Sequence, residues 1–408
     1  MYEGATLVPE LKSKSGGVLW VTTRAGASKW NVNTGSFNGY RADPSRPHES
    51  LLENSVWSLA DDGKGTLWVG TYGALTRMDL TTGRTRHYLP GGPGSLADDR
   101  VFSLLVDGQG VVWVGTFEGG LHRLNPDGET FTRFQHDPGN PRGLASNKVA
   151  SIYEDREGVL WIGTYGGGLA RFDRASETFV AYRHDPRSVT SLSDDRVLTL
   201  FEDSAGVLWV GTHGGGLNGF DRRTGTFTRF RNDPQNEASL SADGVASITE
   251  DRQRNLWVGT MGGGLNKWTL EDRQAHRVAF RHFRESEEGG EGLSNGVVYG
   301  ILQDEAGLLW ISTNNGLLRF DPVTEIFRRF DDTHGLQSRE FNSGAYHRSV
   351  TGEMFFGGNQ GFNSFFPDSI QTNTHQPPVV LTSLQKVNRE LESETPLVEL
   401  GEIELSQS

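Results

Sequence analysis

Six residues stand directly after a Gly-Thr or Ser-Thr pair at near-regular intervals: Tyr72, Phe117, Tyr165, His213, Met261 and Asn314. Aromatic faces mixed with polar groups and gathered around one opening suit a sugar or another small polar ligand. The alternative is that the six pack on neighbouring repeats. A second set precedes short runs such as Val-Phe-Ser and Val-Leu-Thr: Asp99, Arg100, Lys148, Asp195, Arg196 and Asp243. These charges could meet a polar ligand, or pair between repeats for about 0–1 kcal/mol each when exposed. His136 and His184 recur within His-Asp-Pro turns, and Asn232 replaces them in a third copy, so a turn role is expected for both.

Other chemistries are excluded or unsupported. With no cysteine there is no thiolate metal site, disulfide or cysteine nucleophile. The Gly-Gly-Gly triplets at 166–168, 214–216 and 262–264 lack the Lys-Ser/Thr and helix start of a phosphate loop. They are expected in tight turns that need φ > 0 or close backbone approach. No HExxH, GxSxG or calcium-loop pattern occurs, and the 11 histidines specify no metal, so no cofactor is implied. The net charge of −13 argues against nucleic acid, which needs a basic footprint.

These residues ride on a repeat. Leu-Trp-Val-Gly-Thr or a close variant recurs at Trp20, Trp68, Trp113, Trp161, Trp209, Trp257 and Trp310, and Phe355 takes the same slot in an eighth copy. The intervals are 45–53 residues. Each unit breaks into four short β-branched and aromatic runs closed by turn signals, as in VASIYEDREG, VLWIGTYGGG, LARFDRASE and TFVAYRHD. Asp155 and Gly158 fit positions i and i+3 of a type I turn, and the spacing recurs at Asp62/Gly65, Asp107/Gly110, Asp203/Gly206 and Asp304/Gly307. No stretch shows helical periodicity. Glycine makes up about 13% of the 408 residues, near twice the usual ~7%, in keeping with many turns.

Four strands per repeat of this length is the signature of an all-β propeller of four-stranded antiparallel blades. The tryptophan-bearing strand is apolar on both faces, as a strand wedged between blades must be. Burying each indole contributes at most roughly 4–6 kcal/mol, at ~25 cal/mol per Å² over about 150–250 Å². Alternating strand direction puts the Asp-x-x-Gly and Thr-Gly turns on one face. The Gly-Thr-x-Gly-Gly-Gly loops and the long His-Asp-Pro connections share the other, which is therefore the candidate binding face.

The last unit supplies three strands and no fourth. The segment SFNGYRAD, from Ser36 to Asp43, resembles a fourth strand, so a seven-bladed ring is expected to close over 36–370; eight blades, with 1–48 as a full blade, is the alternative. Residues 1–35 would then be the remnant of a preceding blade, 371–378 a linker and 379–408 the start of a β-sandwich. No apolar run approaches the ~18 residues of a membrane span. MYEGATLVPELKSKSGG has neither the basic start nor the apolar stretch of a signal peptide. A cytoplasmic protein, or a piece excised from a longer exported one, is expected.

Phrases such as SLSDDRVLTLFEDSAGVLWVGTHGGGLNGFD and GLSNGVVYGILQDEAGLLWISTNNGLLRFD resemble the two-component regulator propeller repeat. The run PPVVLTSLQKVNREL is similar to the opening of the immunoglobulin-like domain, named for three tyrosines, that follows such propellers. The resemblance implies the periplasmic sensor of an inner-membrane receptor, with a histidine kinase (often hybrid) or a diguanylate cyclase as output. It implies a non-catalytic chain, a small carbohydrate-derived ligand, membrane attachment only through further segments, and a homodimer in the whole receptor. Two other functions are weighed: a protein-interaction scaffold, and a propeller lyase resembling the streptogramin lyases, for which His213 would be the catalytic base.

Overall fold

Every Leu-Trp-Val/Ile-Gly-Thr run forms a strand whose side chains are buried along both faces, as in Leu160–Thr164, Leu208–Thr212 and Leu256–Thr260. A strand with no polar face has to lie between two sheets, and the contacts show how. Trp113 of the second blade packs against Leu144, Val149, Leu160 and Phe172 of the next repeat. Trp161, Trp209, Trp257 and Trp310 each do the same one blade further on. Phe355 completes the series against Val56, Leu59 and Leu67 of the first blade. Trp68, Trp113, Trp161, Trp209, Trp257, Trp310 and Phe355 are each at most 5% exposed.

The structure is a computed structural model that describes residues 37–286 and 292–370, with short strand pairs outside that range. It is a seven-bladed β-propeller. The first blade comprises Val56–Asp61, Thr66–Thr71, Leu75–Asp79 and Thr85–Tyr88, hydrogen-bonded in that order. The innermost strands of blades 2 to 6 are Val101–Val106, Val149–Glu154, Val197–Glu202, Val245–Glu250 and Val298–Gln303. Blade 7 holds Phe341–Arg348, Met354–Gly358 and Gly361–Phe365, and its outer strand is Asn38–Tyr40. Asn38 pairs with Ser364, Gly39 with Asn363 and Tyr40 with Phe362, so the ring has no open edge at this blade.

Close approach between blades explains the glycine of the repeated motif. A Cβ on Gly163 would lie 2.2 Å from Ser151 Oγ and 2.6 Å from Val197 Cγ1 of the next blade. Four of the five expected Asp-x-x-Gly turns form, with Gly110 N–H donating to Asp107 O at 2.8 Å and Gly158 N–H to Asp155 O at 2.9 Å. At Asp62/Gly65 the type I turn does not form, because Gly63 at its second position has φ +64°. Their aspartates have a further part that the turn pattern did not suggest. Asp107, Asp155, Asp203 and Asp304 each accept the indole N–H of their own blade's tryptophan at 2.7–2.9 Å, and Asp251, which has Arg254 where the others have glycine, does the same in blade 5.

One element departs from expectation. Blade 5 contains a five-residue helix, Leu270–Gln274, where blades 1 to 4 and 6 have a plain turn, and Thr269 caps it by accepting from Asp272 N–H. It occupies part of the longest interval between anchors, the 53 residues from Trp257 to Trp310.

The ring lies within a compact unit spanning Gly17–Ile370. Of the expected remnant at 1–35, only the antiparallel pair Val18–Thr23 and Gly26–Asn31 is described. Of the expected sandwich start at 379–408, only Gln385–Lys386 paired with Arg389–Glu390 is described; the expected linker lies outside the described residues. Among the described residues, no helix is long and apolar enough to cross a membrane.

Candidate functional site

The seven inner strands surround a cavity of about 700 Å³ at the axis of the ring. What enters it is decided by a bulge repeated in six blades. In blade 1 Val56 pairs with Thr71 and Ser58 with Gly70, which leaves Trp57 as the extra residue. Phe102, Ala150, Leu198, Ala246 and Tyr299 hold the same place in blades 2 to 6. A bulge re-aims its side chain away from the normal alternation, and all six of these residues line the cavity. Blade 7 has a longer irregularity between Phe341 and Tyr346, and Gly344 within it has φ +81° and lies close to the Trp57 carbonyl oxygen.

The rings from blades 1 and 2 form a continuous wall. Trp57 and Phe102 have centroids 4.7 Å apart, and Phe102 stacks on Phe117 at 5.1 Å with planes 29° apart. Tyr72 backs this wall, 5.7 Å from Trp57 and 5.8 Å from Phe102. Across the channel, Tyr346 of blade 7 reaches Thr199 of blade 4, and burial pushes its hydroxyl up to about 12.

The two residue sets singled out in the sequence meet through the backbone. The N–H of Phe117 donates to the carbonyl of Arg100 at 3.0 Å, Tyr165 to Lys148 at 2.8 Å and His213 to Arg196 at 2.9 Å. Tyr72 donates likewise to Ser55, and Met261 to Gly244. Phe117, Tyr165, Met261 and Lys148 line the cavity. The others stand beside it or apart from it: His213 lies edge-on to Tyr165 at 5.7 Å, and Asn314 Nδ2 donates to the Tyr299 hydroxyl at 3.3 Å.

Most of the charged set is occupied within its own loops, neither facing the cavity nor pairing between blades. Arg100 Nε lies 2.9 Å from Asp98, and its guanidinium also reaches Glu118 at 2.6 Å. Burial alone would raise Asp98, but hydrogen bonds from Arg100 and from Glu118 N–H hold it below the usual carboxylate range. Arg196 pairs with Asp194 at 2.5 Å. Asp195 accepts His184 N–H at 2.6 Å and Asp243 accepts Asn232 N–H at 2.7 Å, closing the long connections. Asp99 is exposed. His136 and His184 fasten the same connections, their Nδ1 atoms 2.8 Å from Leu144 O and Leu192 O, and Asn232 does so through its amide.

Ion pairs between blades lie on the opposite face, among the short turns. Arg174 of blade 3 meets Asp107 of blade 2 and Glu154 of its own blade, each at 2.8 Å. Arg222 and Arg273 repeat this arrangement onto Asp155 and Asp203.

Sequence reasoning missed Trp57, Phe102 and Tyr299, the rings that form much of the cavity wall. A signal was available: the variable second residue of each Val-x-Ser/Thr/Gly run, aromatic in blades 1, 2 and 6 and aliphatic in blades 3 to 5.

Comparison with known proteins adds a family to this geometry. The two component regulator propeller pattern matches residues 50–73, 95–118, 143–166, 191–214, 239–262 and 292–315. The extracellular domain assigned to a hybrid two component system from B. thetaiotaomicron is 26% identical with a TM-score of 0.70, over 88% of this chain and 45% of that one. Histidine kinase P4 of Formosa agariphila is 34% identical over 97 residues, 24% of this chain and 7% of the kinase. The chain thus spans less than half the length of either relative. An inactive variant of virginiamycin B lyase from Staphylococcus aureus shares the fold alone, at 14% identity and a TM-score of 0.57 over 80% of this chain and 98% of the lyase.

Proposed function

Because the chain belongs to the two-component regulator propeller family, we propose that its ring is the ligand-sensing part of a periplasmic receptor and that the ligand enters the axial cavity. The observation that carries this reading is the aromatic-walled cavity of about 700 Å³ beneath the long-loop face. Rings at Trp57, Phe102 and Phe117 offer stacking faces, while hydroxyls at Tyr165 and Tyr299 offer hydrogen bonds. That combination suits a sugar, and an oligosaccharide fragment is the proposed ligand class. The chain itself does no chemistry in this proposal. Ligand binding biases the conformation of a receptor dimer, whose output is a histidine kinase or diguanylate cyclase carried on other segments.

The scaffold alternative calls for a broad apolar surface. Among the described residues, the most exposed large apolar side chains, Val189, Val323 and Val350, stand on three separate loops instead. For the lyase alternative, His213 lies outside the cavity lining, against Tyr165.

The test is thermal shift and calorimetry against a panel of neutral and acidic oligosaccharides. A sugar that raises the melting temperature, and loses at least tenfold in affinity in Trp57→Ala and Phe102→Ala, is the expected result. A tight non-sugar ligand would overturn the sugar class. A sugar whose affinity survives both substitutions would move the site elsewhere.

A further inference from the structure

The cavity lining contains no aspartate or glutamate, although the chain carries a net charge of −13. Its two ionisable nitrogen side chains are Lys148 and His347, and His347 Nε2 lies 2.8 Å from Asp61. Lys148 is different. Among the described residues no carboxylate lies within ion-pair distance of it, and its Nζ stands 4.9 Å from the Phe117 centroid, at the end of the aromatic wall.

The sequence explains why this cation is bare. Arg100, Lys148 and Arg196 occupy equivalent positions, each one residue ahead of its inner strand. The two arginines follow Asp-Asp, and the first aspartate of each pair, Asp98 or Asp194, neutralises them. Blade 3 reads Ser146-Asn147-Lys148 instead. Ser146 Oγ accepts only the Lys148 backbone N–H, at 3.2 Å, and Asn147 accepts His136 N–H in the place where Asp195 accepts His184 N–H. Both acids are thus absent from the one blade whose cation lines the cavity, and the asparagine keeps the loop closed without adding charge.

We propose that the cavity selects an anionic ring compound, a sugar bearing one carboxylate or sulfate. Its ring lies along Trp57, Phe102 and Phe117, and its anion meets Lys148. This rests on the axial cavity being the ligand site and adds the charge of the ligand. A neutral sugar would gain the stacking surface but leave the ammonium unanswered. An acidic one supplies the partner that Asp98 and Asp194 supply to the neighbouring arginines.

The experiment is calorimetry on the chain and on Lys148→Met, Lys148→Arg and Trp57→Ala. The probes are a galacturonate trisaccharide, galactose 6-sulfate, and neutral galactose and its trisaccharide. At least one acidic probe is expected to bind tenfold or more tighter than its neutral counterpart and to weaken as salt rises. Lys148→Met should remove that advantage, Lys148→Arg should keep most of it, and Trp57→Ala should weaken acidic and neutral probes alike. Unfolding midpoints should match the parent in both Lys148 variants, since no ion pair is lost. Equal binding of acidic and neutral probes, or an acidic preference that survives Lys148→Met, overturns the charge assignment and leaves the site in place. Failure of every acidic probe while a neutral one binds does the same. Failure of all the probes overturns the anion assignment, and only the wider glycan panel then decides whether the cavity binds sugar at all.

Discussion

The indole nitrogen of Trp113 donates to Asp107 Oδ2 at 2.8 Å, and the same oxygen receives Arg174 from the following blade at 2.8 Å. One carboxylate therefore ties the wedge of its own blade to the turn of the next. Burial by itself would raise Asp107, but these bonds outweigh it and hold the group below its ordinary range. A carboxyl depressed in the folded state contributes stability above its unfolded pKa and loses it as the pH falls through the folded value. Thermal midpoints are expected to drop below about pH 4. Asp107→Ala should cost about 3 kcal/mol at neutral pH in urea unfolding, because Arg174 loses its buried partner.

His122 titrates in a different window. Burial lowers it to about 4, and its Nε2 accepts the Ala97 N–H at 3.0 Å. The unfolded chain takes up this proton near 6.5, so stability is full above that pH and declines as the pH falls from 6.5 toward 4. Asn218 and Asn266 make the equivalent bond in blades 4 and 5, accepting from Ser193 and Ser241. His122→Asn is therefore expected to flatten the slope between pH 6.5 and 4. Denaturation midpoints at pH 5 and pH 7 measure it.

Gly163 sets the spacing between blades 3 and 4. Gly163→Ala should cost roughly 1–3 kcal/mol through overpacking, since its Cβ would meet Ser151 and Val197. Gly92→Ala is the control, with nothing within 4 Å and no positive φ. Its melting temperature should stay at the parent value.

Phe37 tests closure. It is 7% exposed and meets Phe330 at 5.5 Å and Phe365 at 4.9 Å, edge-on to both. Phe37→Ala should cost about 3–5 kcal/mol. It should also speed hydrogen exchange at Gly361–Phe365, the strand that Asn38–Tyr40 covers. Unchanged exchange there would mean that blade 7 holds without its outer strand.

How far the sequence carried varies with the kind of constraint. The blade count was legible because Trp68 to Trp310 and Phe355 share a slot apolar on both sides, and because the segment around Asn38 repeats a fourth-strand pattern. The cavity wall was not. Alternation assigns a face to each strand residue, and it fails at the bulges that turn Trp57, Phe102 and Tyr299 toward the axis. The fate of the charged set was half legible: Asp-Asp-Arg offers a local partner two residues away, whereas Ser-Asn-Lys does not. The blade 5 helix hid because five residues are too few to show a period. Only the stretched interval before Trp310 hinted at extra structure.

Asn38 and Ser364 face each other in the antiparallel pair that closes blade 7, so the polypeptide enters and leaves the ring side by side. Tension drawing those two strands apart would load Asn38–Ser364 first, then Gly39–Asn363, then Tyr40–Phe362, peeling the clasp one rung at a time. A pull on those tails is therefore borne at the join between the ring's own beginning and end before it reaches any other blade.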